Sequence, residues 1–266
     1  MTAQAAIHRY QRDVAVGRVL RSLLVTGAAA SVLVLPFVLK GFDSMVGLSV
    51  VFGLWLFLSF TSAKNSRILA PSAQLIATGQ FEEAEQRIEQ AMRAFSISRT
   101  SKLMGLHHLA VLRHKQRRWH DAVSLCRAVL SQRLSPLPAL ERSTRLMLAD
   151  ALLEVGDTRA AALAITPLRG QQLPLVDMLT LVQVELDVLS RLGAWDAVVA
   201  GLPGKVQLAE LMPPQSSARA QAALALGARK RGMNDWADWL RKRVEVLADV
   251  GKLTEQRPGL MELWQA

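Results

Sequence analysis

Gly79-Gln80-Phe81-Glu82-Glu83-Ala84 is the stretch whose reading decides the fold, because its pattern returns four times. Arg117-Arg118-Trp119-His120-Asp121-Ala122 follows 38 residues later, and Gly156-Asp157-Thr158-Arg159-Ala160-Ala161 another 39 on. Gly193-Ala194-Trp195-Asp196-Ala197-Val198 comes after a further 37, and a degenerate copy, Gly232-Met233-Asn234-Asp235-Trp236-Ala237, after 39 more. Each copy is a small or polar turn, usually an aromatic two residues on, an acidic or capping residue, then a small residue. A glycine ending one helix supplies a left-handed cap, and Asp or Thr after it caps the next. The aromatic fills the wedge between the two helices, and the small residue lets them approach. The chain therefore reads as a series of helical hairpins, an architecture that buries apolar surface by stacking neighbours.

These residues resemble the tetratricopeptide repeat (TPR) superfamily. Gly79, Gly156, Gly193 and Gly232 match its turn glycine, Phe81, Trp119 and Trp195 the aromatic, and Ala84, Ala122 and Ala161 the close-packing alanine. The small first-helix position falls on Ser72, Ala110, Ala149 and Ala225. Departures are present: the period is longer than the usual ~34 residues, Arg117 replaces a turn glycine, Thr158 an aromatic and Leu186 a small residue. The resemblance covers about residues 65–250 and implies a right-handed α-solenoid of about five helix pairs. The helices are expected at 65–78 with 81–95, 100–116 with 119–132, 137–155 with 157–168, 173–192 with 195–209, and 215–231 with 234–249. Its function, on the same resemblance, is the binding of protein or peptide partners in a concave groove.

Upstream lies an apolar block. Residues 22–39 and 44–63 carry no charge, and Lys40-Gly41-Phe42-Asp43 separates them. As helices rising about 1.5 Å per residue, each arm matches a bilayer's hydrocarbon core, so residues 22–63 read as a transmembrane hairpin. Gly27-Ala28-Ala29-Ala30-Ser31 resembles a leader-cleavage site, but the apolar run continues to Leu39, longer than a cleaved leader needs. Four arginines precede span one, and Lys64 and Arg67 follow span two. The positive-inside bias then places both termini and the repeats in the cytoplasm, at a bacterial-type inner membrane. The alternative is an inverted, periplasmic repeat domain. No acid, base or histidine lies within either span, so the hairpin reads as an anchor without transport chemistry. Gly27, Gly47 and Gly53 are expected to allow close helix approach, and Pro36 to bend span one. Residues 1–21 read either as an amphipathic helix lying along the interface, with Ile7, Tyr10 and Val14 on one face, or as a charged leader. Residues 251–266 read as an apolar cap on the last repeat or as a free docking peptide.

The net charge is +10, concentrated before residue 22, across 64–120 and again across 215–251. Arg113, Lys115, Arg117 and Arg118 form one basic run and Arg229, Lys230 and Arg231 another, candidates for contact with a partner or with anionic lipid. Nucleic acid is the runner-up, disfavoured because Trp119 is already used in a repeat core and leaves no stacking platform. His107, His108, His114 and His120 lack a carboxylate or thiol at ligand spacing, so no metal site is expected. The single Cys126 falls on a core position. No phosphate-binding loop, nucleophile elbow or His-Glu helix pair occurs, and the chain is expected to be neither an enzyme nor a cofactor carrier. The expectation is an all-α, membrane-anchored scaffold or assembly factor. Its parts are a basic segment (1–21), a hairpin (22–63), repeats (64–250) and a tail (251–266).

Overall fold

The computed structural model describes residues 1–33, 42–94, 96 and 99–265, and among them the chain is all-helical with no strand. It divides into two compact units, Met1–Arg133 and Leu134–Ala266.

The first unit holds α1 (Ala3–Leu33), α2 (Phe42–Leu69), α3 (Ser72–Ala77), α4 (Phe81–Arg93), α5 (Arg99–Lys115) and α6 (Trp119–Leu130). Pairs α3/α4 and α5/α6 are helical hairpins, and their facing residues Ile76, Ile88, Met92, Leu103, Leu106, Leu109 and Leu125 are buried. The second unit holds α7 (Pro138–Val155), α8 (Thr158–Ile165), α9 (Leu175–Arg191), α10 (Trp195–Val199), α11 (Leu202–Glu210), α12 (Pro214–Lys230), α13 (Asn234–Leu247) and α14 (Val250–Gln256). Its core gathers Leu186, Val198, Leu224 and Leu240 around α12.

Five copies of one turn organise both units. Gly79, Arg117, Gly156, Gly193 and Gly232 all have φ between 58° and 91°. In each, the amide of the following residue bonds back to a carbonyl five residues earlier at 2.8–2.9 Å, from Gln80, Arg118, Asp157, Ala194 and Met233. Those five residues share φ of −81° to −87° and ψ of 59° to 72°. This is a Schellman-type helix end leading straight into the next helix. Only Asp157 adds a side-chain cap, accepting from the Ala160 amide at 3.0 Å. Arg117 takes the left-handed conformation without glycine's freedom, which costs roughly 1–2 kcal/mol. The close-packing positions Ala84, Ala122, Ala161, Val198 and Ala237 are all buried. Where Val198 stands instead of alanine, the facing helix supplies the room: a Cβ on Gly227 would lie 2.6 Å from Val198 Cγ1.

Several expectations are corrected. Residues 195–209 do not form one helix: the chain breaks at Ala200-Gly201, with Gly201 at φ 66° and Pro203 opening α11. The helix expected at 65–78 is not separate from the apolar block, because α2 runs unbroken from Phe42 to Leu69 and stops only at Pro71. Nothing in Ser62–Leu69 interrupts a helix, whereas proline removes a donor. Cβ atoms on Gly27 and Gly53 would meet nothing within 4 Å, so neither marks a close approach. Among the described residues no helix is long and apolar enough to cross a membrane. Lys40, Gly41 and Pro36 lie outside the described residues, as do the side chains of 30–48.

The N-terminal segment is helical and docked on the first unit. Ala3, Ala6, Tyr10 and Asp13 form a buried stripe on α1, which packs against α4, α5 and α6. The tail is a cap: Leu260 and Leu263 enter the α12–α13 core, and Arg229 Nη1 donates to the carbonyls of Glu262 (3.2 Å) and Leu263 (3.1 Å).

Candidate functional site at the foot of the apolar helices

Two helices leave the first unit as extensions of its core. α1 is docked through its first four turns and then carries Val19, Leu23 and Val25 at 60%, 63% and 70% exposure. α2 carries Val50, Phe52, Trp55, Phe57 and Phe60, all more than half exposed, with Leu58 among them and Asn65 beyond them buried. Monomers in water rarely expose large contiguous apolar surface. Helix continuity ties this collar directly to the helical hairpins of the first unit.

The docking of α1 is ionic as well as steric. Lys102 is almost wholly buried; its ammonium donates to the Met92 and Ala94 carbonyls at 2.8 and 2.5 Å and to Asp13 Oδ2 at 2.8 Å. It thus caps the C-terminus of α4 and pairs with α1 at once. Burial pushes the Lys102 pKa down, against the opposing pull of Asp13. At the other end, Arg113 grips Glu85 in a two-pronged contact of 2.6 and 2.8 Å and donates to the Met1 carbonyl at 2.7 Å. The Met1 amine reaches Glu85 at 2.9 Å. The guanidinium's hydrogen bonds lead in holding the Glu85 carboxyl down at about 2, with the amine helping.

Beside the Lys102–Asp13 pair, where the collar begins, lies a cleft of about 560 Å³ lined by Asp13, Gly17, Arg18, Arg99, Lys102 and Arg133 among others. Ser96, also on its wall, donates to Ser62 of α2 at 3.1 Å, two residues past exposed Phe60. Four cations here face one carboxylate, and that carboxylate is already engaged by Lys102 and by Arg12 at 3.5 Å.

The residues singled out from sequence fare unevenly. Arg113 is corrected from a surface contact to a buried tie. Lys115, Arg117 and Arg118 are exposed, Arg118 pairing with Asp121 at 2.5 Å. Lys230 pairs with Glu262 at 2.5 Å, Arg231 with Asp196 at 2.8 Å, and Arg229 holds the tail. Their charge is thus spent largely inside the second unit. Trp119 meets His114 edge-on at 5.0 Å. His107 is pushed down to about 4 by burial and by His108 beside it. The Ser72 hydroxyl donates to the Leu69 carbonyl at 2.6 Å, leaving His108 Nδ1 to donate to Ser72 Oγ, also at 2.6 Å. Among the described residues no three His, Cys, Asp or Glu gather to hold a metal ion. Cys126 is buried and its thiol is pushed up to about 12, which makes it unreactive.

The second unit contains an ion cluster that sequence reasoning missed. Arg219 contacts Asp187 and lies 3.6 Å from Asp150, while Arg257 contacts Glu154 and lies 3.9 Å from Asp187. Burial, with Arg257 nearby, lowers the Arg219 pKa to about 10. A signal existed: Asp150 and Asp187 each follow the first-helix small position, after Ala149 and Leu186, one repeat period apart. Compared with protein-family profiles, characterised proteins and solved structures, the chain matches none.

Proposed function

We propose that this protein is a membrane-anchored, TPR-like adaptor whose two apolar helices sit in a bilayer and hold the repeats at its surface. The observation that carries the reading is the exposed apolar collar on helices continuous with the repeat core. The apolar run continues into residues 34–48, which the structure does not describe in side-chain detail, and the sequence there is uncharged apart from Lys40 and Asp43. The basic flanks favour cytoplasmic repeats at an inner membrane; a reporter fused after Ala266 tests that orientation against the periplasmic one.

A protein partner is the class best supported for the repeats. On α13, Trp239 and Val246 are exposed on one face, and the Arg243 guanidinium stacks 4.7 Å over the Trp239 ring. Tryptophan and arginine are the residue types that dominate protein interfaces. The paired state of the Arg229–Arg231 run takes support away from nucleic acid. Flotation of the full chain with liposomes after an alkaline wash tests the anchor. Retention in the lipid layer is expected, with loss on Phe57→Glu plus Phe60→Glu; an unlipidated, monodisperse aqueous protein would end the reading. Cross-linking in native membranes tests the adaptor role: partner recovery should disappear with Trp239→Ala plus Val246→Asp and persist with Lys115→Gln.

A further inference from the structure

The cleft at the foot of the collar has features that anchoring alone does not require. Arg18, Arg99 and Arg133 converge on it from α1, from the start of α5 and from the segment after α6. Among the described residues none of the three pairs with a carboxylate. Among the described residues, Arg99 Nη2 reaches the Gln132 amide oxygen at 3.3 Å and the Arg133 carbonyl at 3.4 Å, and its side chain lies beside the Tyr10 hydroxyl. Among the described residues the buried Nε of Arg99 has no hydrogen-bond partner. An under-used, partly buried guanidinium costs free energy that an anion would recover. Lys102 contributes positive potential from the wall, although its donors are taken by α4 carbonyls and Asp13.

We propose that this cleft binds the phosphate group of a phosphoester, and that the source is an anionic phospholipid headgroup. Guanidinium forks arriving from three directions suit a tetrahedral oxyanion with several acceptor oxygens better than a planar carboxylate. The volume lies within the range of sites that enclose a small ligand, large enough for a glycerophosphate-sized group with water. Gly17 lines the cleft and is buried, so the α1 backbone itself forms part of its wall. Exposed Val19 begins the apolar collar two residues later, which would let acyl chains follow α1 away from the phosphate. The lipid source rests on the membrane reading above; the phosphate site does not.

The test uses the full chain in nanodiscs of phosphatidylcholine doped with phosphatidylglycerol, with retained lipid read by native mass spectrometry. Wild type is expected to retain phosphatidylglycerol selectively. Arg99→Gln plus Arg133→Gln should lower that retention by about tenfold or more, as loss of charge-assisted bonds implies. Flotation with phosphatidylcholine alone should stay unchanged. Lys115→Gln plus Arg118→Gln removes the same charge outside the cleft and should leave retention intact. Equal retention by the cleft variant, or equal loss in the control, overturns the proposal. Displacement of the lipid by millimolar glycerol 3-phosphate supports the phosphate site while assigning it a soluble source. If wild type fails to float with any vesicle, the membrane reading has failed. Calorimetry with inorganic phosphate then decides the cleft, a response abolished by Arg99→Gln supporting it and no response refuting it.

Discussion

Asp13→Ala removes one half of the pair that docks α1 on the repeats. Lys102 and Asp13 are 3% and 6% exposed in their side chains and 2.8 Å apart. Breaking a buried pair costs about 3–5 kcal/mol, because the surviving charge loses its partner. Here the ammonium keeps the Met92 and Ala94 carbonyls at the end of α4, so the cost should fall toward about 2–4 kcal/mol. The pair holds α1 locally, so the measurement should be local too. Amide exchange of residues 3–14 in the full chain reports the free energy of opening. Protection there should drop roughly 30- to 700-fold, since each 1.4 kcal/mol is a factor of ten, while α12 amides stay protected. Asp13→Ala combined with Lys102→Met removes both charges and should recover most of the protection, an interaction visible only in the double-mutant cycle. Unchanged protection in Asp13→Ala, or a double variant as exposed as the single one, would refute the argument that this pair fastens the apolar helix to the repeats.

Further outcomes follow from other contacts. Gly227→Ala drives a methyl into Val198 at 2.6 Å and should destabilise by about 1–3 kcal/mol; adding Val198→Ala should restore stability to within about 1 kcal/mol in denaturant melts. Glu85 has its carboxyl depressed to about 2 from an ordinary 4.5, so its stabilisation is complete above about pH 5 and is lost as pH falls toward 2. That gap corresponds to at most ~3 kcal/mol, discounted to about 1–2 for a side chain 26% exposed. Glu85→Gln should flatten the acid limb of α1 exchange protection. Arg117→Gly relieves a left-handed arginine at φ 58° and should stabilise the first unit by about 0.5–1 kcal/mol, after the added freedom of the unfolded chain is counted; a loss on thermal melting would mean that the side chain holds the turn.

The turns were legible because they depend on local chemistry. A left-handed residue, a Schellman bond and a small residue three positions into the next helix involve neighbours in sequence, so Gly79, Gly156, Gly193 and Gly232 announced them. Even Arg117 was placed correctly by period alone. The packing face of the first segment was not legible, for a different reason. The stripe that packs is Ala3, Ala6, Tyr10, Asp13 and Gly17, which is small or polar, whereas hydropathy points to Ile7 and Val14, both only half-buried. A short residue buried at a close helix contact carries little hydrophobic signal, and Asp13 is buried only because Lys102, 89 positions away, neutralises it.

Sequence by itself determined the helical vocabulary, the five-fold turn and the uncharged runs of the apolar block, since each is written in residues a few positions apart. Tertiary structure alone decided which cations are free. Arg113, Arg229, Lys230 and Arg231 look like a surface for partners until their carboxylate and carbonyl partners arrive from distant elements. Arg99 looks ordinary until α1 and the end of α6 close a cleft around it. Charge is a property of a residue, but whether it is neutralised is a property of the space around it, and that space is assembled from positions the chain holds far apart.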